Sequence, residues 1–119
     1  MSRMDELIKL CTKWSSERGI FVNGTVPTQT LKLVSEVGEL ADNVAKHRDI
    51  ADDIGDCLVV LNNLAMMNEL TLEECLEVAY LDIKDRTGYL NGAGVFIKDS
   101  DRGQGKCTKM KQPRLENAR

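Results

Sequence analysis

Apolar residues recur at helical spacing through the middle of this 119-residue chain, from about residue 28 to residue 86. Leu33, Val37, Leu40 and Val44 follow one another at intervals of four, three and four residues, so they fall on one face of a helix. Helices that are joined by short connections pack as antiparallel neighbours. The pattern therefore predicts an all-α protein built on an antiparallel four-helix bundle.

The breaks between the periodic segments give the limits of the elements. Four helices are predicted, over residues 4–18, 28–46, 50–68 and 71–86. Asp49 is expected to be the N-cap of the third helix, and Thr71 with Glu74 forms a capping box for the fourth. The β-like run "GVFIK" predicts a small C-terminal hairpin. We expect residues 1–99 to form a single domain and the basic, polar segment 100–119 to form a flexible tail.

Charge and hydropathy exclude two classes of partner. The net charge is −3 and the pI is about 5.2, so no overall basic field indicates binding to nucleic acid or to an anionic membrane. No apolar run approaches the roughly 18 residues that span a bilayer. We therefore expect a cytoplasmic protein. Apolar residues cover more than one face of the second and third helices, which predicts a homodimer or homotetramer.

Two pairs of acidic residues, each with a spacing of three, lie on the two sides of the predicted turn at 47–49. They are Glu36 with Glu39 and Asp53 with Asp56. Residues three apart share one face of a helix. If the two helices are antiparallel across the turn, a rise of about 1.5 Å per residue leaves the pairs offset by roughly 3 Å. The four carboxylates are then expected to face one another.

These acids lie in or beside apolar columns of their helices. Glu36 lies between Leu33 and Leu40 on its face, and Asp53 is followed at i+4 by Cys57. Ionised carboxylates in a partly buried gap are tolerated if some protonate or if cations neutralise them. Oxygen ligands with open positions suit Mg²⁺, with Mn²⁺ as a substitute. The alternative is a solvated helix face on which Lys32 and other nearby basic residues form ion pairs.

The segments "LKLVSEVGELADNVAK", "DIADDIGDCLVVLNNLA" and "LDIKDRTG" together resemble the MazG-like members of the all-α nucleoside triphosphate pyrophosphohydrolase superfamily, over about residues 28–98. The family pattern is EExxE followed by ExxD. The resemblance implies that Glu36, Glu39, Asp53 and Asp56 bind Mg²⁺, and that Glu36 or Glu39 acts as the catalytic base. It also implies hydrolysis of a standard, deoxy or modified nucleoside triphosphate to the monophosphate and pyrophosphate.

Two positions depart from the family pattern. Ser35 stands where the first acid of EExxE is expected, and Asp53 replaces the glutamate of ExxD. These departures favour the alternative of a non-catalytic helical oligomerisation or regulatory module with a degenerate metal site. A di-iron bundle would need Glu-x-x-His pairs, and the single histidine, His47, does not follow a glutamate at that spacing.

Binding of the substrate requires positive charge and a surface for the base. Lys84 and Arg86 lie at the end of the predicted fourth helix, where the resemblance implies contacts with the substrate phosphates; the alternative is that they stabilise the helix C-terminus. Lys32 is a further phosphate candidate, although an ion pair with Glu36 at i+4 is the simpler interpretation. Trp14 and Phe21 are the candidates for stacking on the base, although a tryptophan at a position such as that of Trp14 more often belongs to the core.

Overall fold

The computed structural model describes residues 1–101. The elements are α1 (Arg3–Glu17), α2 (Ile20–Asn23), α3 (Val26–Ala45), α4 (Ala51–Met67), α5 (Leu72–Ile83), β1 (Gly88–Leu90) and β2 (Phe96–Lys98). The mainly helical class and the small hairpin are confirmed. The chain divides into two compact units, residues 1–77 and the residues from Val78 onward. The single domain over 1–99 stays a prediction, and so does the tail, which lies outside the described residues beyond position 101.

Capping residues fix where α1 and α3 begin. The Ser2 hydroxyl accepts a hydrogen bond from the Asp5 amide at 3.1 Å, and the Asp5 carboxylate accepts one from the Ser2 amide at 3.0 Å. Thr25 and Thr28 exchange the same pair of bonds at the start of α3. Each box satisfies amides that have no partner inside the helix. As a result α3 begins two residues earlier than the apolar pattern predicts.

The helices α3 and α4 form an antiparallel hairpin. Near the turn, Asn43 Nδ2 donates to Asp53 Oδ2 at 2.9 Å, and at the far end Asn63 Nδ2 donates to Gln29 Oε1 at 3.1 Å. The predicted N-cap is wrong by one residue, because Ile50 occupies the cap position without a side-chain bond. Asp49 nevertheless accepts a hydrogen bond from an amide of the first helical turn, that of Ala51, at 3.1 Å.

The first unit is completed by α1 and α2, which both pack on α4. Asn62 Nδ2 donates to Thr12 Oγ1 at 2.9 Å and so ties α4 to α1. The capping box predicted at the start of α5 is confirmed, with the Thr71 amide donating to Glu74 Oε1 at 2.9 Å and the Glu74 amide donating to Thr71 Oγ1 at 3.1 Å.

The second unit contains the hairpin, in which β1 and β2 pair antiparallel with Tyr89 opposite Ile97. Its turn is closed by Asn91, whose side-chain oxygen accepts from the amides of Ala93 and Val95. Within residues 1–101, no helix has both the length and the apolar character needed to cross a membrane.

Burial in the described residues is unlike that of a self-sufficient bundle. Val60 and Ala65 are the buried apolar residues, whereas the buried polar set is Ser15, Glu36, Asp53, Asn62 and Asn63. Many apolar residues of the helices are exposed, among them Val37, Val44, Ile54, Leu58, Leu76 and Tyr80. These side chains are therefore not buried within residues 1–101. The reason is that α3 and α4 turn polar side chains toward each other and leave apolar stripes uncovered.

Candidate functional site

The paired helices carry two buried carboxylates. Glu36 on α3 is 8% exposed and Asp53 on α4 is 7% exposed. Asp56 is partly buried and Glu39 is exposed. Each buried acid has a partner: Lys32 Nζ lies 3.1 Å from Glu36 Oε2, and Asn43 donates to Asp53. The ion pair between Lys32 and Glu36 that the i,i+4 spacing suggests is thus present.

Electrostatic coupling extends across the two helices. Loss of hydration on burial raises the pKa of the Asp56 carboxyl, and the negative charges of Asp52, Glu36 and Asp53 raise it further. The hydrogen bond and the charge of Glu36 raise the pKa of the Lys32 ammonium, with smaller contributions from Glu39 and Asp56. The acids of both pairs therefore lie within electrostatic reach of one another and of Lys32.

The observed side-chain positions do not enclose a cation. In the part of the chain that the structure describes, no three aspartate, glutamate, histidine or cysteine side chains converge closely enough to hold a metal ion. The donor chemistry itself suits a hard divalent cation, because all four candidate groups are carboxylates. An ammonium group, that of Lys32, is the cation bound to Glu36 here.

The raised pKa of Asp56 predicts a gain in stability on neutralisation. An acid whose pKa in the folded protein lies above its ordinary 3.8 destabilises the fold when ionised. That penalty is absent below pH 3.8 and is complete above the raised pKa. Asp56→Asn should therefore raise the Tm of the metal-free protein at pH 7 and lose this advantage as the pH falls below 4. Asp85→Asn, at an exposed position, is the control. A lower Tm for Asp56→Asn than for the parent at pH 7 would show that the ionised Asp56 carboxylate does not destabilise the fold.

Lys84 and Arg86 follow the end of α5 and form ion pairs with neighbouring acids of the second unit. Arg86 Nη2 lies 2.7 Å from Asp82 Oδ2, and Lys84 Nζ lies 3.6 Å from Asp85 Oδ2. Asp82 and Asp85 are largely exposed, at 72% and 89% of their side-chain surface. A phosphate that reached either basic group would replace a weak surface ion pair.

The two aromatic candidates occupy different surroundings. Phe21 lines a cavity of about 510 Å³ in the first unit, together with Thr12, Thr25, Met66 and Met67. Trp14 does not line this cavity. It is 48% exposed, and the Arg18 guanidinium carbon lies 4.3 Å from the centre of its ring. The core position considered for Trp14 is therefore not found among residues 1–101.

Several polar residues at the helix contacts were not singled out from the sequence. Asn62 and Asn63 are each 2% exposed, and each keeps a side-chain oxygen without a hydrogen-bond partner, as does the Ser15 hydroxyl. The signal available was the pair of asparagines inside the apolar run "LVVLNNLA". Asn43, ten residues before Asp53, gave no comparable signal, because its partner is known only once the hairpin register is known.

No protein-family model and no solved structure matches this chain. Over 72 residues it is 39% identical to an uncharacterized 18.2 kDa protein from the rep-hol intergenic region of Haemophilus phage HP1 (strain HP1c1). The match covers 59% of this chain and 44% of the phage protein, so the chain spans less than half the length of that relative.

Proposed function

We propose that this protein is a Mg²⁺-dependent, MazG-like nucleoside triphosphate pyrophosphohydrolase. The observation that carries the proposal is the burial of Glu36 and Asp53 on facing helices, with Glu39 and Asp56 three residues further along each. Burying ionised carboxylates costs free energy unless a cation compensates them; Lys32 pairs with Glu36, whereas the partner of Asp53 is the neutral amide of Asn43. Groups placed at such a cost are characteristic of functional sites. We propose a cytoplasmic location for the protein, because nucleoside triphosphates are available there as substrates.

The four acids are the groups that would hold the metal. When bound, Mg²⁺ would polarise the phosphates and lower the pKa of an attacking water. Glu36 is engaged by Lys32, whereas the Glu39 side chain is exposed. Glu39 is therefore the more accessible base for accepting the proton of that water, and Glu36 is the alternative. Ser35, which directly precedes Glu36, contributes no charge to the proposed metal site.

The rest of the substrate would be bound by basic and aromatic residues. We assign the phosphates to Lys84 and Arg86, with Lys32 as a further contact. We assign the base to the cavity at Phe21, since an aromatic ring offers a stacking surface. Thr25 in this cavity lies 11 residues before Glu36, or about 16 Å along α3. That separation is comparable with the length of an extended nucleoside triphosphate. Trp14 remains a second stacking candidate.

A second copy of the chain would cover the exposed apolar stripes. Ile54, Leu58 and Leu61 follow one another along α4 at i, i+4 and i+7 and are 47%, 45% and 38% exposed. Large exposed apolar patches mark interaction surfaces. We propose a homodimer or homotetramer in which the predicted helical bundle is completed between copies.

The oligomer proposal predicts a clear effect of one substitution. Leu58→Glu places a charge in the stripe on α4 and should convert the assembly to a smaller species, as measured by light scattering after size-exclusion chromatography. Val22→Glu, at an 85% exposed position on the short α2, should leave the mass unchanged. A monomeric parent protein, or an unchanged mass for Leu58→Glu, would contradict this interface.

The second candidate function is a non-catalytic oligomerisation or regulatory module. Two observations favour it. No set of three acidic, histidine or cysteine side chains in residues 1–101 is arranged to hold a metal ion, and the charge of Glu36 is already compensated by Lys32. One experiment separates the two. Each nucleoside triphosphate is incubated with the protein and Mg²⁺, and the products are separated chromatographically. If the protein is a pyrophosphohydrolase, monophosphate and pyrophosphate should form in equal amounts, and neither product should form in the presence of EDTA. If the protein is a non-catalytic module, no nucleotide should be hydrolysed.

A further inference from the structure

The ion pair between Lys32 and Glu36 differs from the other ion pairs among residues 1–101 in the burial of its acid. The Glu36 side chain is 10% exposed. In the other pairs the acidic side chain is at least 48% exposed, including the pair of Lys46 with Asp42 on the same helix. Exposed pairs contribute little to stability, whereas a buried carboxylate without a counter-ion is costly. Lys32 is therefore the compensating charge of a buried group.

The position of Lys32 also allows its ammonium group to move away from Glu36. Its side chain is 54% exposed and extends from one turn before Glu36. The ammonium group can move into solvent by rotation about side-chain bonds, with no change in the helix. Glu36, in contrast, is buried, at 8% exposure, on a helix that packs against α4. The pair thus joins a buried anion to an exposed cation.

We propose that Lys32 is a built-in counter-ion that occupies the place of the divalent cation in the metal-free protein and must be displaced when the metal binds. The inference rests on the proposed function for the identity of the metal. Metal affinity is then set by competition between the ammonium and the divalent cation for Glu36.

The test compares Lys32→Met with Lys46→Met, since both lysines form i,i+4 pairs on α3 and methionine keeps much of the side-chain volume. Mn²⁺ is titrated into each protein by calorimetry without nucleotide, and the Tm is measured with and without Mn²⁺. Lys32→Met should bind Mn²⁺ roughly three- to tenfold more tightly than the parent protein. It should have a lower Tm than the parent without metal, and its Tm should rise by more when Mn²⁺ is added. Lys46→Met should match the parent in metal affinity. Lys32→Arg, which keeps the charge, should also resemble the parent.

The outcomes separate this inference from the proposed function. Equal Mn²⁺ affinity in the parent and Lys32→Met, or weaker binding by the variant, would overturn the counter-ion role and leave the metal site standing. Absence of Mn²⁺ binding in all four proteins would overturn both. If Lys32→Met does not fold, Lys32→Gln provides the same neutralisation with a polar side chain, and the same comparison of affinities decides.

Discussion

Glu39→Gln and Asp56→Asn should each reduce Mg²⁺-dependent hydrolysis to the background of the assay while leaving the helical content intact. Each substitution keeps the shape of the side chain and removes one anionic ligand from the proposed site. Mg²⁺ demands near-ideal geometry and is bound through few protein carboxylates, so the loss of one is not readily replaced. Neither side chain is fully buried, and the fold should therefore tolerate both changes.

The control for this pair is Asp42→Asn on α3. Asp42 lies three residues after Glu39, is exposed and pairs with Lys46 at 2.7 Å. Its replacement also removes one negative charge from the hairpin, so it reports any general effect of charge on turnover. Near-parental activity is expected for this variant. Full activity in Glu39→Gln or in Asp56→Asn, with circular dichroism showing a native fold, would remove the metal assignment from that residue.

Lys84→Ala and Arg86→Ala should each lower kcat/KM by roughly tenfold or more, which corresponds to about 1.4 kcal/mol. The expected cause is the loss of a charged contact to the triphosphate. Mn²⁺ affinity of the free protein should barely change, because the four carboxylates remain. Calorimetric titration and kinetics on the same preparations measure the two effects separately.

The acids paired with these basic residues offer matched controls. Asp82→Ala breaks the ion pair of Arg86 without removing the arginine, and Asp85→Ala does the same for Lys84. If the basic residues act only as structural surface charges, each acid variant should behave like the variant of its partner. If they bind phosphate, only the basic variants should lose activity. Unchanged kinetics in Lys84→Ala and Arg86→Ala would leave Lys32 as the remaining phosphate candidate.

The helices were predictable because their signals are local. The apolar period, the breaks at glycine and the capping box at Thr71 and Glu74 indicated α1, α3, α4 and α5 to within a few residues. The short α2 was missed, since four residues carry no measurable period. Gly19, at a φ of 77°, ends α1 and allows the chain to turn directly into α2, and its position alone did not distinguish this turn from a loop.

The buried face was harder to predict than the helices. Periodicity shows that Val37, Val44 and Leu58 share apolar stripes with other residues, but it does not show what covers those stripes. In this chain the contacts between α1, α3 and α4 are made in part by hydrogen-bonded asparagine, glutamine and threonine side chains. Which stripe faces a partner is a tertiary property, and a single sequence does not encode it in a form that spacing can reveal.

The sequence predicted the candidate site as a set of residues and did not predict its geometry. The repeated spacing of three on both sides of a turn indicated that the acids lie on facing helices. It did not indicate that Glu36 and Asp53 would be the buried members, or that Asn43 would bind Asp53. The role proposed for Lys32 rests on the burial of its partner, because five other i,i+3 or i,i+4 ion pairs in residues 1–101 have exposed acids.

The most direct test of the central claim is the position of a bound metal ion in crystals grown or soaked with saturating Mn²⁺ and measured at the manganese absorption edge. We predict an anomalous peak between α3 and α4, with carboxylate oxygens of Glu36, Glu39, Asp53 and Asp56 at roughly 2 Å from the ion or bridged to it by water. Lys32 should then be displaced from Glu36. Absence of a peak at this place, with Lys32 still paired with Glu36 and Mn²⁺ bound elsewhere or not at all, would contradict the account.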